Sequence, residues 1–497
     1  MLIRPTADDI RLIAYNMGRI FLAVAVIGLI PTIWAGLRGE YPAAASFVLM
    51  VGAFAFLGSG ARFFPPKSHR LEWRHGMVIV ALTWAMVPFL ATIPFLLSGH
   101  WASPLDAYFD AMSGITTTGL ALVQDVDHLA TSVNFWRHLL QFMGGQGIVL
   151  AVLTVFAGGG AMTLYYGEAR EEQILPSVRS TARFIWAVSA IHLAFGVLGL
   201  WLVGYLLLGF EPFRAFFHGI TIFMAAFDTG GFSPMSSSVG YYHSAAFEAI
   251  TAVLMIAGAT SFGLHYALWR GPGRILRNLE LRTILATVMG SLFLVLVGLA
   301  GAGFFTDLAG LTRQGLFHVL SAHTGTGFST VPSSELARWG GLAFGGLTIA
   351  MALGGMTSST AGGVKSLRIG LTLKALAAQV RQVLLPEGAV VSHQFWQNGP
   401  RQLTTGLTQA VMTVSLLYVG LYVLGAGAGL LYQAPLQEAL FESVSAGANV
   451  GLSVGLTDPT MPSLLKLTYI LQMWAGRLEF VAVFSLLGFL YAWVRGR

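Results

Sequence analysis

Four short segments of this chain repeat one pattern, and each lies between two long apolar stretches. They run over Phe109–Gly119, Phe217–Gly231, Phe317–Gly327 and Phe441–Gly451. In three copies the Phe lies ten residues before the last Gly and a Ser lies six before it, whereas the second copy spaces its Phe at fourteen, as one additional helical turn requires. Fourfold use of a short helix that ends in a Gly turn is how a membrane protein builds a cation filter.

The composition places the chain in a membrane. Of its 497 residues, 55% are hydrophobic and only 10% are charged, and the mean hydropathy is +0.71. A soluble domain of this length needs far more surface charge. Cysteine is absent, which excludes thiolate chemistry and disulfides. The net charge of +6 is explained by where the basic residues lie, so we expect no nucleic-acid partner and, without a catalytic constellation, no enzyme.

A helix needs about 20 apolar residues to cross a bilayer. This length predicts ten spans, near 13–36, 42–60, 76–98, 137–160, 184–209, 244–268, 283–305, 340–373, 404–431 and 465–494. The last eight spans form four consecutive pairs, and one Phe…Gly segment lies between the two spans of each pair. These segments are too short and too polar to cross the membrane. The predicted fold is an all-α polytopic membrane protein, with four helix–pore loop–helix repeats around a central pore and an N-terminal two-helix hairpin.

The spans divide the chain into five predicted units. They are the N-terminal hairpin at 1–65, repeat 1 at 66–165, repeat 2 at 166–270, repeat 3 at 271–385 and repeat 4 at 386–497. Of the 28 basic residues, 21 fall on the side that carries both termini. Six fall on the other side, Arg38, Arg137, Arg214, Arg313, Arg338 and Lys466, and Arg477 lies within a span. The positive-inside rule makes the first side cytoplasmic.

The segments 105–116, 213–226, 312–323 and 435–447 are predicted to form short pore helices, and Pro104, Pro212 and Pro435 suit helix starts. Their C-terminal dipoles would point at the pore axis, and Gly would let successive carbonyls face inward. Close helix packing would explain one such patch, but four matched patches favour a filter. Acidic residues are predicted to concentrate cations outside it: Asp106, Asp110, Asp125, Asp127, Asp228, Asp307, Glu438, Glu442 and Asp458.

These motifs resemble the Trk/Ktr/HKT superfamily of potassium transporters, most closely its TrkH subunits, over nearly the whole chain. The matching runs are 116–119 (TTTG), 141–147 (QFMGGQG), 449–452 (NVGL) and 476–479 (GRLE). The resemblance implies a potassium filter with one Gly per strand, and a Gly rather than a Ser in the first strand points to potassium over sodium. Residues 228–231 (DTGG) depart from the usual Asn-Ala-Gly. The predicted filter residues are Thr117, Thr118, Gly119, Thr229, Gly230, Gly231, Gly325, Thr326, Gly327, Asn449, Val450 and Gly451.

The eighth span contains a run of Gly, Ser and Thr that no intact helix would favour. Its members are Gly354, Gly355, Thr357, Ser358, Ser359, Thr360, Gly362, Gly363 and Lys365. The run predicts a broken helix whose backbone groups are satisfied by hydroxyls or pore water, with a packing kink as the alternative. The resemblance implies that it is an intramembrane loop below the filter that obstructs the pore and moves when the pore opens.

Arg477 is the one basic residue deep in a predicted span. Intramembrane charges are costly and face a cavity or a partner. Glu479 is two positions away and on another helix face, so it is not an obvious partner. The alternatives are therefore an ion pair to another helix and, as the resemblance implies, an electrostatic barrier beside the pore.

The predicted function is potassium uptake across the cytoplasmic (inner) membrane, with K⁺ as the transported ion and no organic cofactor. By resemblance the chain forms a homodimer among membrane lipid, regulated by a peripheral TrkA-type nucleotide-binding subunit on the cytoplasmic face. An H⁺- or Na⁺-coupled symporter is the alternative, and so is a less selective K⁺/Na⁺ transporter. An ion-coupled symporter would be expected to have more acidic residues within its spans than this chain has, where almost none occur besides Glu248, Glu442 and Glu479.

Overall fold

A computed structural model describes residues 4–67, 71–147, 178–270, 272–303, 307–386, 394–397 and 399–496. Apart from one short β-hairpin, the regular structure in these ranges is helical, and the predicted fold class is confirmed. The N-terminal hairpin consists of α1 (Ala7–Leu37) and α2 (Tyr41–Gly60). Four units follow, and each places a pore helix between flanking helices.

The repeats share this order of elements. Repeat 1 has α3 (Trp73–Ala91), α4 (Ile93–Ser98), pore helix α5 (Pro104–Ile115) and α6 (Thr131–Gln146). Repeat 2 has α7 (Val178–Leu202), pore helix α8 (Pro212–Phe227), α9 (Ala245–Ala259) and α10 (Phe262–Arg270). Repeat 3 has α11 (Leu279–Ala302), pore helix α12 (Leu308–His323), α13 (Ser333–Arg338), α14 (Gly341–Ala352) and α15 (Ser366–Leu384). Strands β1 (Gln394–Trp396) and β2 (Pro400–Gln402) precede repeat 4, which has α16 (Thr405–Leu431), pore helix α17 (Leu436–Gly447), α18 (Ser463–Arg477) and α19 (Val481–Arg495).

Within the described ranges, six helices are long and apolar enough to cross a membrane, or eight if each sharply bent helix pair counts as one span. The bent pairs are α9 with α10, at 100°, and α18 with α19, at 109°. The expectation of continuous spans at 244–268 and 465–494 is therefore wrong. The fourth predicted span, 137–160, begins earlier, at Thr131, and residues 148–160 lie outside the described residues.

The second flanking helix is interrupted in repeats 2, 3 and 4, after Ala259, Ala352 and Arg477, so span eight is not unusual in being broken. In repeat 1 this helix ends at Gln146, and the described residues stop at 147. Compared with repeats 2 and 4, repeat 3 has a longer insert, between α14 and α15. In repeats 1, 2 and 4 a Gly near the end of the first part of this helix packs against the last carbonyl of the pore helix: Gly144 on Ile115, Gly258 on Phe227 and Gly476 on Gly447. A Cβ there would lie under 3.0 Å from that oxygen. Small residues at such contacts let membrane helices approach closely.

The N-terminal hairpin is fixed to repeat 1 through Glu40. The start of α6 has no side-chain cap of its own. Glu40 supplies one from the α1–α2 turn: its carboxylate accepts the Thr131 and Ser132 backbone N–H groups, each at 2.9 Å, and the Thr131 hydroxyl at 2.7 Å. A carboxylate at a helix N-terminus satisfies otherwise orphan donors and complements the dipole. Burial opposes the ionised form, but the bonds from Ser132 and Thr131 outweigh it and lower the pKa of Glu40 below its ordinary value.

We expect Glu40→Gln to reduce the free energy of unfolding by about 1 kcal/mol at pH 7, because a charge-assisted cap becomes a neutral one. A depressed carboxyl pKa stabilises the fold above the unfolded-state value of 4.5, and this stabilisation is lost as the pH falls through the lower folded-state pKa. The difference in melting temperature between parent and variant should therefore shrink below pH 4.5. The control is Glu211→Gln, since Glu211 precedes α8 without a side-chain cap bond. A deficit that does not vary with pH would contradict this account.

Candidate ion pathway

The four predicted pore helices end in the same way, each four residues before the last Gly of its predicted filter segment (Gly119, Gly231, Gly327 or Gly451), hereafter the filter Gly. The N–H of the residue just before that Gly bonds the carbonyl five residues back: Thr118 to Ser113, Gly230 to Ala225, Thr326 to Ser321 and Val450 to Ser445, at 2.8–2.9 Å. This bond marks a helix terminated by a left-handed residue. The left-handed residues are Thr117, Thr229, Gly325 and Asn449, with φ between 50° and 73°. Three non-Gly residues thus adopt a backbone conformation that L-residues rarely take.

The four filter segments form a closed ring of backbone contacts. A Cβ on each filter Gly would lie under 3.0 Å from the carbonyl oxygen that precedes the Gly of the next segment. The contacts run from Gly119 to the Gly230 oxygen, Gly231 to Thr326, Gly327 to Val450, and Gly451 back to Thr118. All four glycines also have φ between 73° and 96°. Gly is required here both by the conformation and by the close approach of the next strand.

The Ser shared by three copies lies beneath the filter Gly. The Oγ atoms of Ser113 and Ser445 accept the N–H groups of Gly119 and Gly451, each at 3.0 Å. Ser321 Oγ instead donates to the Phe328 carbonyl at 2.7 Å. The second copy has Ala225 at this position, and its carbonyl accepts the Gly231 N–H at 3.3 Å. The residue six positions before the filter Gly is therefore repeated because it forms a hydrogen bond to the turn of each filter segment.

A second brace holds the chain after the filter. The side chains nine residues before the Gly accept the backbone N–H three residues after it: Asp110 from Leu122 at 2.5 Å, His318 from Thr330 at 3.4 Å and Glu442 from Val454 at 2.9 Å. In the second copy the two positions hold Ile222 and Pro234. Proline has no N–H, so this copy needs no acceptor. The apolar Ile222 can therefore replace the acceptor side chain of the other copies, because Pro234 offers no N–H to accept.

Repeat 1 also supports the second filter strand. The Gln141 side-chain amide donates to the Gly230 carbonyl at 2.5 Å, and its oxygen accepts the Phe232 N–H at 3.2 Å. Gln146 Nε2 donates to the Asp228 carboxylate at 2.8 Å. The QFMGGQG run at 141–147 thus contacts the DTGG strand at both ends. Asp228, the departure from the usual pattern, is fully buried and engaged there.

The four filter glycines lie at one end of a cavity of about 230 Å³, which we call the vestibule. The acidic residues predicted to attract cations fall into two groups. Asp106, Asp110, Asp228 and Glu442 are at most 1% exposed and serve as structural acceptors, so that expectation is wrong for them. Asp106, for example, pairs with Lys466 of α18. Asp125, Asp127, Asp307, Glu438 and Asp458 are half-buried or exposed.

The predicted gate residues, 354–365, lie directly beneath the filter and are buried. A Cβ on Gly362 would lie under 3.0 Å from the Ala448 carbonyl of the fourth filter strand. Thr360 Oγ1 lies 3.0 Å from the Phe227 carbonyl and 2.9 Å from that of Gly258, and Thr229 Oγ1 donates to it at 3.3 Å. These bonds tie the segment to α8 and α9 of repeat 2, whereas the hydroxyls that satisfy the segment's own backbone are those of Ser359 and Ser366.

The remaining members of this segment are tied to α11 and to the segment itself. The Glu280 carboxylate accepts the Thr357 N–H at 2.5 Å and the Thr357 hydroxyl at 3.1 Å. Ser358 has φ 53° and Gly363 has φ 72°. Ser359 Oγ donates to the Met356 carbonyl at 2.6 Å, and Lys365 Nζ donates to the Ala361 carbonyl. Gly354 and Gly355 offer their carbonyls to the Ser366 hydroxyl at 3.0 and 3.2 Å.

Arg477 joins this segment to repeat 1. Its Nη1 donates to the Thr360 carbonyl at 2.6 Å and its Nη2 to the Gly144 carbonyl at 2.8 Å. Arg477 also lines a small cavity with Gly362 and Lys365, and the cavity has room for about one water molecule at 20 Å³. Glu479 forms a buried ion pair with Arg368 of α15.

Sequence reasoning missed several residues of the site. Gln141 holds the backbone of Gly230 and Phe232, and Gln146 holds the Asp228 carboxylate. Glu280 holds Thr357 of the 354–365 segment. Gln141 and Gln146 belong to the QFMGGQG run, but the sequence alone assigns neither side chain a role. A buried carboxylate three residues after Arg277, as at Glu280, gives no recognisable pattern, since its partner lies 77 residues away.

Comparison with known proteins agrees with this architecture. The TrkH family model, described as a cation transport protein, matches residues 46–487. An uncharacterized cation transporter of Methanocaldococcus jannaschii is 30% identical over 98% of this chain and 97% of its own length. The Trk system potassium uptake protein TrkH of Halomonas elongata is 30% identical over 88% and 90% of the two chains.

A solved structure gives the same result for the fold. The crystal structure of the potassium transporter TrkH from Vibrio parahaemolyticus superposes with a TM-score of 0.81 and 26% identity, covering 96% of this chain and 98% of that one. The family consists of transporters, which confirms the expectation that the chain is not an enzyme. The chain is an integral membrane protein that belongs to the TrkH family of cation transport proteins.

Proposed function

We propose that this chain takes up potassium through the four filter segments. The observation that carries the proposal is the closed ring in which each filter Gly packs on the carbonyl preceding the next one. Rings of carbonyl oxygens can replace the hydration shell of a K⁺ ion. The residues proposed to bind the ion are the twelve at 117–119, 229–231, 325–327 and 449–451. Relatives described as potassium uptake proteins support potassium as the cargo.

Channel-like conduction is favoured over coupled symport by the state of the carboxylates. Glu248 pairs with Arg313 through contacts of 2.6 and 2.7 Å, Glu479 pairs with Arg368, and Glu442 accepts three hydrogen bonds. Coupling by H⁺ or Na⁺ needs a carboxylate that can change partners. Among the residues that the structure describes, these three are already committed to structural contacts.

We propose further that the 354–365 segment is the gate and Arg477 a barrier to cations beside it. Their support is position: Gly362 contacts the fourth filter strand, and Arg477 holds the Thr360 carbonyl. The protein is proposed to be a homodimer in the cytoplasmic membrane, with both termini inside and a TrkA-type nucleotide-binding subunit on the basic cytoplasmic face. The boundaries 1–65, 66–165, 166–270, 271–385 and 386–497 belong to the same proposal.

The function is tested by expressing the full chain in cells that lack their own potassium uptake systems. We expect growth at low external K⁺ and Rb⁺ uptake that K⁺ inhibits more strongly than Na⁺. In proteoliposomes, uptake should follow the Rb⁺ gradient and should not change when a proton or sodium gradient is imposed. If uptake requires a proton or sodium gradient, the chain is a symporter and the proposal of channel-like conduction is wrong.

The gate proposal is tested by Thr360→Val, which removes the hydroxyl that contacts Phe227 and Gly258 but keeps the side-chain shape. We expect Rb⁺ flux without the regulatory subunit to rise several-fold, because each neutral hydrogen bond that holds the segment contributes about 1 kcal/mol. The control is Thr348→Val on α14, whose hydroxyl donates to the Phe344 carbonyl of the same helix. If both variants conduct like the parent, the segment is a packing kink.

A further inference from the structure

A basic cavity lies at the start of α11, away from the ion pathway. It has a volume of about 280 Å³ and is lined by Arg277, Arg282 and Lys374, together with Gln394 and Trp396 of β1. Three cationic side chains from separate elements thus converge on one space. The described lining residues include no carboxylate.

Two of the three cations, Arg282 and Lys374, are held in place by backbone carbonyls around the cavity. Arg282 Nε donates to the Leu276 carbonyl at 2.6 Å, which leaves four guanidinium N–H groups for other acceptors. Lys374 Nζ donates to the Gln394 carbonyl at 3.0 Å and so fixes the β-hairpin against α15. This positioning suits a phosphate group, which accepts several charge-assisted hydrogen bonds at once.

An exposed apolar stripe begins on α11 one turn beyond Arg282, which lines the cavity. Leu285, Met289 and Phe293 of α11 follow Arg282 along one helix face, and they are 52%, 62% and 67% exposed. Trp396 also lines the cavity, and Trp is enriched at the headgroup level of membranes. A ligand with both a phosphate and long acyl chains would contact the charged cavity and the apolar stripe together.

We propose that this cavity binds the headgroup of an anionic phospholipid, with its acyl chains along Leu285, Met289 and Phe293. Basic pockets at the cytoplasmic ends of membrane helices bind such headgroups. That this end of α11 is cytoplasmic rests on the orientation given under Proposed function. A free phosphate would use only the cavity, and a soluble protein would not use the apolar stripe.

The bound lipid would act on the proposed gate through α11. Leu279 lines the cavity, and the next residue, Glu280, holds Thr357 of the 354–365 segment. The helices α11 and α15 are in close contact, since a Cβ on Gly370 would lie 3.1 Å from the Leu279 Cγ. A headgroup that draws Arg282 and Lys374 together would therefore bias the position of Glu280 and, with it, the anchor of the segment.

Lipid binding is tested on the full-length protein in detergent by native mass spectrometry with phosphatidylglycerol and phosphatidylcholine. We expect the parent to prefer phosphatidylglycerol, and the double variant Arg277→Gln with Arg282→Gln to bind it about 25-fold more weakly, at about fivefold per charge removed. Arg495→Gln on α19, outside the cavity, is the matched control and should bind like the parent. Equal affinity of parent and double variant would overturn the proposal.

Three further measurements guard against misfolding, separate the sources of the phosphate and test for a protein ligand. The charge-preserving double variant Arg277→Lys with Arg282→Lys should retain most of the preference for phosphatidylglycerol, and its loss would overturn an electrostatic site. Inorganic phosphate and glycerol 3-phosphate should not displace the lipid, and displacement at comparable concentration would identify a free-phosphate site instead. If the glutamine variant loses only the binding of a nucleotide-binding subunit, the cavity is a protein-docking surface and the lipid site is overturned.

The effect on the gate is measured separately in proteoliposomes. Rb⁺ uptake by the parent should change with the phosphatidylglycerol fraction, and uptake by the glutamine double variant should respond less. A parent whose uptake does not depend on that fraction would overturn the coupling to Glu280. Because native mass spectrometry measures lipid binding without transport, it tests the lipid site even if the potassium proposal fails.

Discussion

Gly119→Ser is expected to lower Rb⁺ uptake at least about tenfold while the protein still folds, and to reduce the preference for K⁺ over Na⁺ in what remains. The reason is a contact between strands. A Cβ at Gly119 would lie under 3.0 Å from the Gly230 carbonyl oxygen, which belongs to the proposed ion-binding ring. To admit the side chain, that oxygen has to move. A change of 1.4 kcal/mol in the barrier is enough for a tenfold effect.

Backbone strain alone would give a different result, and the chain offers a variant that isolates it. Gly455 has φ +99°, close to the +95° of Gly119, but a Cβ there would meet no atom within 4 Å. Gly455→Ser therefore carries the same conformational cost without displacing a carbonyl. Uptake and the K⁺/Na⁺ preference are measured for both, with melting temperature as the check on folding. If the Gly119→Ser protein transports like the Gly455→Ser protein, Gly119 is not part of the filter.

The fourfold pattern could be predicted because it is local in sequence. A Phe, a Ser and a Gly at fixed spacing specify a short helix, its terminating turn and the hydrogen bond from Ser113 or Ser445 to the Gly N–H. Pro104 and Pro212 do begin their pore helices, and Pro435 immediately precedes α17. Each of these features is decided within about ten residues, where helix geometry and capping preferences act.

What the sequence could not supply are contacts between repeats. The sharp bend after Arg477 depends on Glu479 and Phe480 taking positive φ, at 50° and 70°, which neither residue type favours. The hydropathy of this region is that of one continuous apolar run, so it predicts a single unbroken span. The acidic residues of the pore helices were misplaced for the same reason, because Asp106 finds Lys466 360 residues later. A partner so distant along the chain cannot be predicted from the spacing of residues in the sequence.

The second large effect is expected at Arg477. Arg477→Ala should raise maximal Rb⁺ flux about tenfold, because a guanidinium stays charged at physiological pH and repels a passing cation. Two unit charges 4 Å apart repel by about 4 kcal/mol at an effective dielectric of 20, and a fraction of this accounts for the change. The variant should also melt lower, because it leaves the buried carbonyls of Thr360 and Gly144 without these donors, at about 1–3 kcal/mol each.

The contacts of Arg477 make a second explanation available, since it could restrain flux by clamping the 354–365 segment rather than by its charge. Arg477→Lys separates the two, because an ammonium keeps the charge but cannot reproduce the two-pronged donation to Thr360 and Gly144. A charge barrier predicts parental flux for Lys and increased flux for Ala, whereas a clamp predicts increased flux for both. Rb⁺ uptake and melting temperature are measured on each variant. A lower melting temperature with parental flux in both would make Arg477 a structural residue.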